Sequence, residues 1–198
     1  MNNYSAIRID CLQYCNWSEK IFRQMKEGGI SAVHVTIAYH ELFREMVANI
    51  ECWNRRFEQY SDLIIPGRQA SDVYAAQETG RTAIFFGFQN CSPIEDDIGL
   101  LSIVYALGVR FMQLTYNNQS LLATGCYEST DSGLTRMGKA VVQEMNRVGL
   151  VIDMSHSGER STLEAIEFSQ RPIAITHANP SAWHPALRNK SDLVIKAL

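Results

Sequence analysis

Val151-Ile152-Asp153-Met154-Ser155-His156 and Pro172-Ile173-Ala174-Ile175-Thr176-His177 have the same form: an apolar run, a small hydroxyl residue and then a histidine. Short apolar runs of this kind are typical of strands buried in a parallel sheet. The two histidines are 21 positions apart, which leaves room for one crossover helix between the strands. We therefore predict neighbouring parallel strands with both imidazoles at the same end of the sheet.

Strand and helix patterns alternate through the rest of the chain. Strands are predicted at 7–14, 32–37, 82–90, 111–116, 151–156 and 172–177, and helices at 18–27, 40–60, 96–107, 135–147 and 159–169. Such alternation implies βαβ crossovers and a parallel sheet covered by helices. It fits both an open doubly wound sheet and a closed (β/α)8 barrel.

Polar residues collect at the predicted C-terminal ends of the strands, and this favours the barrel. These ends read Gln89-Asn90, Tyr116-Asn117-Asn118, Ser155-His156 and Thr176-His177. In a (β/α)8 barrel the active site forms at this end of the strands. We therefore predict an α/β fold of the TIM-barrel type, as one domain over 1–198. With about six of eight βα units, and about 250 residues typical of such barrels, we expect it to be incomplete at the C-terminus.

Composition argues against several function classes. The 198 residues are 46% hydrophobic and 20% charged, which is enough apolar material for one sizeable core. The formal net charge of −3, with scattered Lys and Arg, argues against nucleic acid as a partner. No run approaches the roughly 20 apolar residues of a membrane span, and the polar stretch 1–5 does not resemble a signal peptide. We expect a soluble, cytoplasmic protein.

The five cysteines lack CxxC spacing, which favours neither a disulfide framework nor a thiolate zinc site.

The paired histidines predict a metal site. Neutral imidazole is a common zinc ligand, and neighbouring strands would bring His156 and His177 close enough to share an ion. The alternative is that each histidine only forms local hydrogen bonds at its strand end. A catalytic site usually takes three or more protein ligands, and none of His34, His40 and His184 stands out as the third.

Arg188 follows the second histidine by 11 residues, in a loop expected above the barrel mouth. Its planar guanidinium suits a substrate carboxylate, although an ordinary surface charge is the alternative. Ser191 is predicted to cap the last helix.

Several motifs together indicate a known family. They are the two strands that end in histidine, the Arg188-Asn189 loop, Gln113-Leu114-Thr115-Tyr116-Asn117 and Asp131-Ser132-Gly133-Leu134. The chain resembles the membrane (renal) dipeptidase family, peptidase family M19, whose members are zinc-dependent (β/α)8 barrels that cleave dipeptides. The resemblance implies that His156 and His177 bind the second of two metals and that Arg188 holds the substrate's carboxylate.

Other positions depart from the family pattern and place the chain in a divergent subgroup. The family's first-strand Asp-Gly-His-x-Asp motif reads Asp10-Cys11-Leu12-Gln13-Tyr14 here, so Leu12 and Tyr14 replace two ligands. Gln89 stands where the family has a bridging glutamate, and an amide supplies no negative charge to hold two cations together. Tyr116 stands where the family has a histidine associated with transition-state stabilisation, and the family's late aspartate would fall beyond this chain.

Two function hypotheses follow. The first is a metallo-dipeptidase or related amidohydrolase, in which His156 and His177 hold one zinc ion rather than two, and Tyr116 and Arg188 contact a dipeptide or other small substrate. The second is a catalytically altered barrel, with a partial or absent metal site, that binds a small ligand or a partner. The altered ligand positions favour this second hypothesis: Leu12, Tyr14 and Gln89. Assembly into a homo-oligomer is compatible with both.

Overall fold

The computed structural model describes residues 6–198, so the polar stretch 1–5 lies outside the described residues. The strands are β1 (Ile9–Gln13), β2 (Ala32–Ala38), β3 (Ile64–Gly67), β4 (Thr82–Phe88), β5 (Val109–Gln113) and β6 (Val151–Asp153). The helices are α1 (Glu19–Glu27), α2 (Phe43–Gln59), α3 (Ala70–Thr79), α4 (Leu100–Ala106), α5 (Arg136–Val148), α6 (Glu159–Phe168) and α7 (Asp192–Ala197).

All strand pairs of the sheet are parallel, as the alternation of strands and helices predicts. The strand order is β1-β2-β4-β5-β6, and β3 lies off this path, paired with β4. Since β2 occupies one side of β4, the other side is shared: β3 pairs with Thr82 to Phe85, and β5 takes over from Phe86. The described residues thus form a half-barrel of parallel strands with helices between them.

The prediction of a regular strand at 172–177 is wrong. Within it only Ala174 pairs with β6, through a single parallel bridge to Asp153. Beyond the bridge the backbone N–H groups of Thr176 and His177 donate to side-chain oxygens, those of Asp153 and Ser155, at 3.2 and 3.1 Å. Side-chain acceptors have replaced the carbonyls of a β ladder, so the segment runs beside β6 without extending the sheet.

The prediction also missed β3 and α3, which fill the gap between residues 60 and 82. The strand is only four residues long and ends in Pro66-Gly67, a pair that normally indicates a turn. The helix that follows is weakly amphipathic, so its 3.6-residue pattern is faint.

Two predicted helices start later than expected, since side chains bind the backbone N–H groups just before them. The Glu41 carboxylate accepts from the N–H groups of Tyr39 and His40, and Glu45 accepts from Leu42, so α2 begins at Phe43. The helix predicted at 96–107 is α4, shortened to Leu100–Ala106 after a 3-10 turn at Ser92–Ile94.

The main core lies between the sheet and the helices that cover it. Its largest fully buried side chains include Phe22, Phe88, Met112, Leu114 and Met145. Burial of each such side chain contributes roughly 1.5–3 kcal/mol, so the sheet that carries the site residues is a rigid support. Among the helices of residues 6–198, none is both long and apolar enough to cross a membrane.

Helix caps fix the segments that lead into and out of the site. Thr135 Oγ1 accepts from the N–H of Gly138 at 2.9 Å and begins α5, which ends at Gly149 in the left-handed conformation with φ of 94°. Ser191 Oγ accepts from the N–H of Val194, which confirms the predicted cap of α7.

A buried histidine fills the sheet's inner face below the strand ends. His34, in β2, donates from Nδ1 to the Cys11 carbonyl at 2.7 Å and stacks on Phe111 with 4.6 Å between ring centroids. A Cβ atom at Gly87 would overlap the His34 ring, so only glycine leaves room for it. His34 is therefore a core residue.

Candidate metal centre

The candidate site lies at the C-terminal ends of the parallel strands. Gln89 follows β4, Asn117 lies four residues after β5, His156 follows β6, and His177 follows the segment bridged to β6. Since the strands are parallel, these ends meet at one edge of the sheet. The two histidines are neighbours there, as their matched sequence positions predict.

The two imidazoles face one another through their Nε2 atoms, which are 2.9 Å apart. The Oε1 atom of Gln89 lies 3.1 Å from Nε2 of His156. His156 is 6% exposed and His177 is half-buried. The Nε2 atom of His156 therefore lies close to both the ring nitrogen of His177 and the amide oxygen of Gln89.

The hydrogen-bond partners of His156 define which ring nitrogen carries the proton. Its Nδ1 lies 2.7 Å from Oδ1 of Asn117, and a carbonyl oxygen can only accept, so Nδ1 donates. Nε2 of the neutral ring then carries a lone pair. Gln89 presents its oxygen to that lone pair because its amide nitrogen donates to Thr36 Oγ1 at 2.8 Å.

The same reasoning applies to His177. Its Nδ1 lies 2.8 Å from Oγ1 of Thr176, whose hydroxyl donates to the Asp153 carboxylate at 2.6 Å. Since that hydroxyl has one hydrogen, it must accept from Nδ1 of His177. Nε2 of His177 therefore also carries a lone pair.

The lone pair of His156 Nε2 thus faces those of His177 Nε2 and Gln89 Oε1 with no hydrogen between them, an arrangement that a bound cation would satisfy. Burial, with a contribution from the Arg188 charge, lowers the pKa of His156 to about 2, and burial also lowers the pKa of His177. Both rings are then uncharged at neutral pH, which is the form that binds metals. Within residues 6–198 no three His, Cys, Asp or Glu side chains form a metal-binding group, and the side-chain oxygen beside the histidine pair is the amide oxygen of Gln89.

A family model described as membrane dipeptidase, peptidase family M19, matches residues 16–198. The chain belongs to the membrane dipeptidase family. This confirms the resemblance inferred from the sequence motifs.

Relatives and solved structures agree with the family assignment. The chain is 30% identical to dipeptidase verJ of Clonostachys rogersoniana, over 83% of this chain and 43% of that protein, and 28% identical to dipeptidase tcpJ of Claviceps purpurea, over 81% and 38%. It therefore spans less than half the length of these curated dipeptidases. An amidohydrolase from Pseudomonas aeruginosa superposes with a TM-score of 0.94 and 41% identity, over 96% of this chain and 58% of that one.

A more distant structure shows the fold alone. A metallo peptidase from Rhodobacter sphaeroides, liganded with a phosphinate mimic of the dipeptide L-Ala-D-Ala, superposes with a TM-score of 0.85 at 17% identity. The superposition covers 96% of this chain and 70% of that protein. The predicted α/β fold of the TIM-barrel type is confirmed, and residues 6–198 form part of such a barrel.

Arg188 is placed at the histidine pair, as predicted, but its guanidinium binds the backbone. Nη1 donates to the Ser155 carbonyl, and Nη2 donates to the His177 carbonyl at 3.0 Å. One side chain thus links the ends of β6 and of the segment beside it. Its proposed contact with a substrate carboxylate stays a prediction, and it would use the remaining N–H groups of the guanidinium.

Tyr116 packs directly on the candidate metal centre. Its ring lies 4.3 Å from that of His156, centroid to centroid, and 5.5 Å from the rings of Tyr39 and His40. A surface cavity of about 760 Å³ adjoins Tyr116, between the loops that follow β2, β4 and β5. Tyr116 therefore lies between the histidine pair and a space large enough for a small substrate.

The altered first-strand positions carry no ligand atoms into the site. Tyr14 is 79% exposed, and its ring packs edge-on against Tyr39 at 6.0 Å. Leu12 is half-buried and has no atom that binds metal. The structure therefore brings together His156, His177 and Gln89, and neither Leu12 nor Tyr14 adds a fourth ligand.

Sequence reasoning missed the residues that orient the ligands, namely Asn117, Thr36, Thr176 and Asp153. The hydroxyl residue before each histidine was a visible signal without an assigned role. Asn117 has a φ of 67°, a left-handed conformation that Asn tolerates better than most residues, and only the folded backbone reveals it.

Lys190 is a buried lysine beside the candidate metal centre. It is 5% exposed, and its Nζ donates to the Ser157 carbonyl at 2.7 Å. Burial, together with the Arg188 charge, lowers its pKa from 10.5 to about 8, although Cys126, Asp153 and Asp131 act in the opposite direction. The folded protein therefore binds this proton less tightly than the unfolded chain does.

This burial predicts a pH-dependent stability. From pH 8 towards 10.5 the unfolded chain holds the Lys190 proton while the folded chain has lost it, so the free energy of unfolding rises with pH. Relative to Lys190→Met, the wild type should gain up to roughly 3 kcal/mol over this range. Urea unfolding at pH 8 and pH 10 measures the difference, with the exposed Lys196→Met as control. Parallel pH curves for wild type and Lys190→Met would contradict the prediction.

Proposed function

We propose that this chain carries the metal-binding half of a zinc-dependent dipeptidase site, which hydrolyses dipeptides or related small amides. One observation carries the proposal: His156 Nε2, a bare ring nitrogen, lies 2.9 Å from the bare Nε2 of His177 and 3.1 Å from Oε1 of Gln89. Membership of the membrane dipeptidase family and relatives named as dipeptidases support it.

The proposed roles follow from the chemistry of each side chain. His156 and His177 would hold one zinc ion, with Gln89 as third donor. A zinc ion at this position supplies Lewis-acid polarisation of an amide carbonyl. Arg188 would attract the carboxylate of a dipeptide, and Tyr116 would form the wall against which the substrate is oriented.

One ion fits this donor set better than two. A binuclear centre needs a negatively charged group to hold two cations close together, and Gln89 is a neutral amide. Leu12 and Tyr14 provide no ligand for a second ion in the family's first-strand positions.

A second candidate function is a barrel that binds a small ligand without hydrolysing it. The neutral donor set favours this alternative, because Gln89 is fixed by Thr36 as an amide acceptor and supplies no general base. In this case the histidine pair would bind a metal, or a ligand directly, without turnover.

Metal analysis and substrate assays test both functions. The 198-residue chain is purified without chelator, its metal content is measured, and it is incubated with a panel of dipeptides plus zinc or manganese, with release of amino acids followed by mass spectrometry. The dipeptidase proposal expects about one ion per chain and turnover. Bound metal without turnover supports the second function. The absence of both bound metal and turnover would overturn the first.

A further inference from the structure

We infer that Asp153 and Asn117 are positioning residues, which fix the ring tautomers of His177 and His156 so that both Nε2 lone pairs are exposed before any metal binds. The inference deepens the proposed function and rests on it only where it concerns metal affinity. The tautomers themselves belong to the metal-free protein.

Asp153 is a fully buried carboxylate surrounded by donors. It accepts from Gln113 Nε2 at 2.9 Å, from the N–H and hydroxyl of Ser155, and from the N–H and hydroxyl of Thr176. A carboxylate that accepts several hydrogen bonds holds its donors in fixed directions. Asp153 therefore determines where the hydroxyl hydrogens of Ser155 and Thr176 point.

Those two hydroxyls in turn hold His177. Because each has given its hydrogen to Asp153, each oxygen is left as an acceptor. Thr176 Oγ1 accepts from the His177 ring at Nδ1, and Ser155 Oγ accepts from the His177 backbone N–H at 3.1 Å. One carboxylate thus controls both the backbone and the ring of His177 without contacting either.

Asn117 does the same for His156 by direct contact. Its Oδ1 accepts from Nδ1 of His156 at 2.7 Å, and its left-handed backbone, with φ of 67°, brings the short side chain to that position. This backbone conformation costs some free energy. Such conformations are retained where the surrounding structure fixes them, often at functional sites.

The energetic consequence is a gain in metal affinity. A free neutral imidazole populates two tautomers, and only the one with a bare Nε2 can bind at this site. Groups that orient a ligating histidine typically change metal affinity about 10–100-fold when they are removed.

A set of threonine variants separates positioning from general destabilisation. Thr176→Val removes the hydroxyl but keeps the shape, Thr176→Ser keeps the hydroxyl, and Thr82→Val removes a buried hydroxyl at the opposite end of β4, where it donates to Ile30. We expect Thr176→Val to bind zinc about 10–100-fold more weakly in chelator competition, with Thr176→Ser and Thr82→Val within about twofold of wild type.

Nitrogen-15 NMR of the metal-free protein gives a readout that does not depend on metal or activity. The wild type should show protonated Nδ1 and bare Nε2 in both His156 and His177, and Thr176→Val should show a mixture for His177 alone. An unchanged His177 tautomer together with unchanged zinc affinity in Thr176→Val would overturn the inference.

Asn117 supplies an independent pair of variants if Thr176→Val does not fold. Asn117→Gly suits the positive φ but removes the acceptor, and Asn117→Asp keeps an oxygen there. The His156 tautomer should become mixed in the first and stay fixed in the second, and the opposite result would count against positioning. If wild type binds no zinc while its tautomers are fixed as expected, the proposed function fails and the positioning role stands.

Discussion

The variant His156→Ala/His177→Ala is expected to contain no zinc and to have lost all hydrolytic activity. Two of the three donors that converge on the site are removed, and a single amide oxygen cannot hold the ion. Metal content should fall from about one ion per chain to background. The underlying loss of zinc affinity should exceed the roughly 10–100-fold loss expected when an orienting group is removed. Elemental analysis of protein purified without chelator measures it.

His184→Ala is the matched control for this experiment, since that histidine is exposed, in the loop that precedes Arg188. It should keep both metal and activity. If the double variant retained stoichiometric zinc, the ion would be bound elsewhere and the assignment of the metal centre would be wrong.

Asp153→Ala is expected to cost about 3–5 kcal/mol of stability, enough to unfold many domains. The substitution leaves the donors of Gln113, Ser155 and Thr176 buried without their acceptor, and it leaves a cavity beside them. Urea unfolding followed by circular dichroism measures the change in the free energy of unfolding.

Two further variants calibrate this loss. Asp62→Ala, at an exposed position, should change stability by no more than about 0.5 kcal/mol. Asp153→Asn keeps one carbonyl oxygen as acceptor and should be destabilised less than Asp153→Ala. A loss below about 1 kcal/mol in Asp153→Ala would show that the donors find other partners.

The fold was predictable wherever the chain repeats a strong pattern. Apolar runs such as Thr82–Phe88 and amphipathic helices such as Arg136–Val148 carry their periodicity in the sequence, and their alternation dictates a parallel sheet. The prediction of strands and helices failed where the local sequence is typical of a structure other than the one that forms. The strand Ile64–Gly67 contains a turn-like Pro-Gly pair, and it forms because Thr82–Phe88 offers it an open side.

The candidate site was predictable only in part. Spacing alone indicated that His156 and His177 would be neighbours, since parallel strands put equivalent positions at one edge. The family resemblance also indicated Gln89, which directly follows a strand, but the partner of the second ring nitrogen of His156 could not be read from the chain. Asn117 reaches His156 from 39 positions away, through a loop whose conformation has no simple sequence signature.

The link that Arg188 makes between two backbone carbonyls has a consequence for ligand binding. A free arginine side chain samples many rotamers, and restraining it can cost up to about 2 kcal/mol of entropy. Here folding has already ordered the guanidinium, because it bonds to the carbonyls of Ser155 and His177. An anion that arrives at Arg188 meets a preorganised cation, so less of the attraction between them is lost to restricting motion.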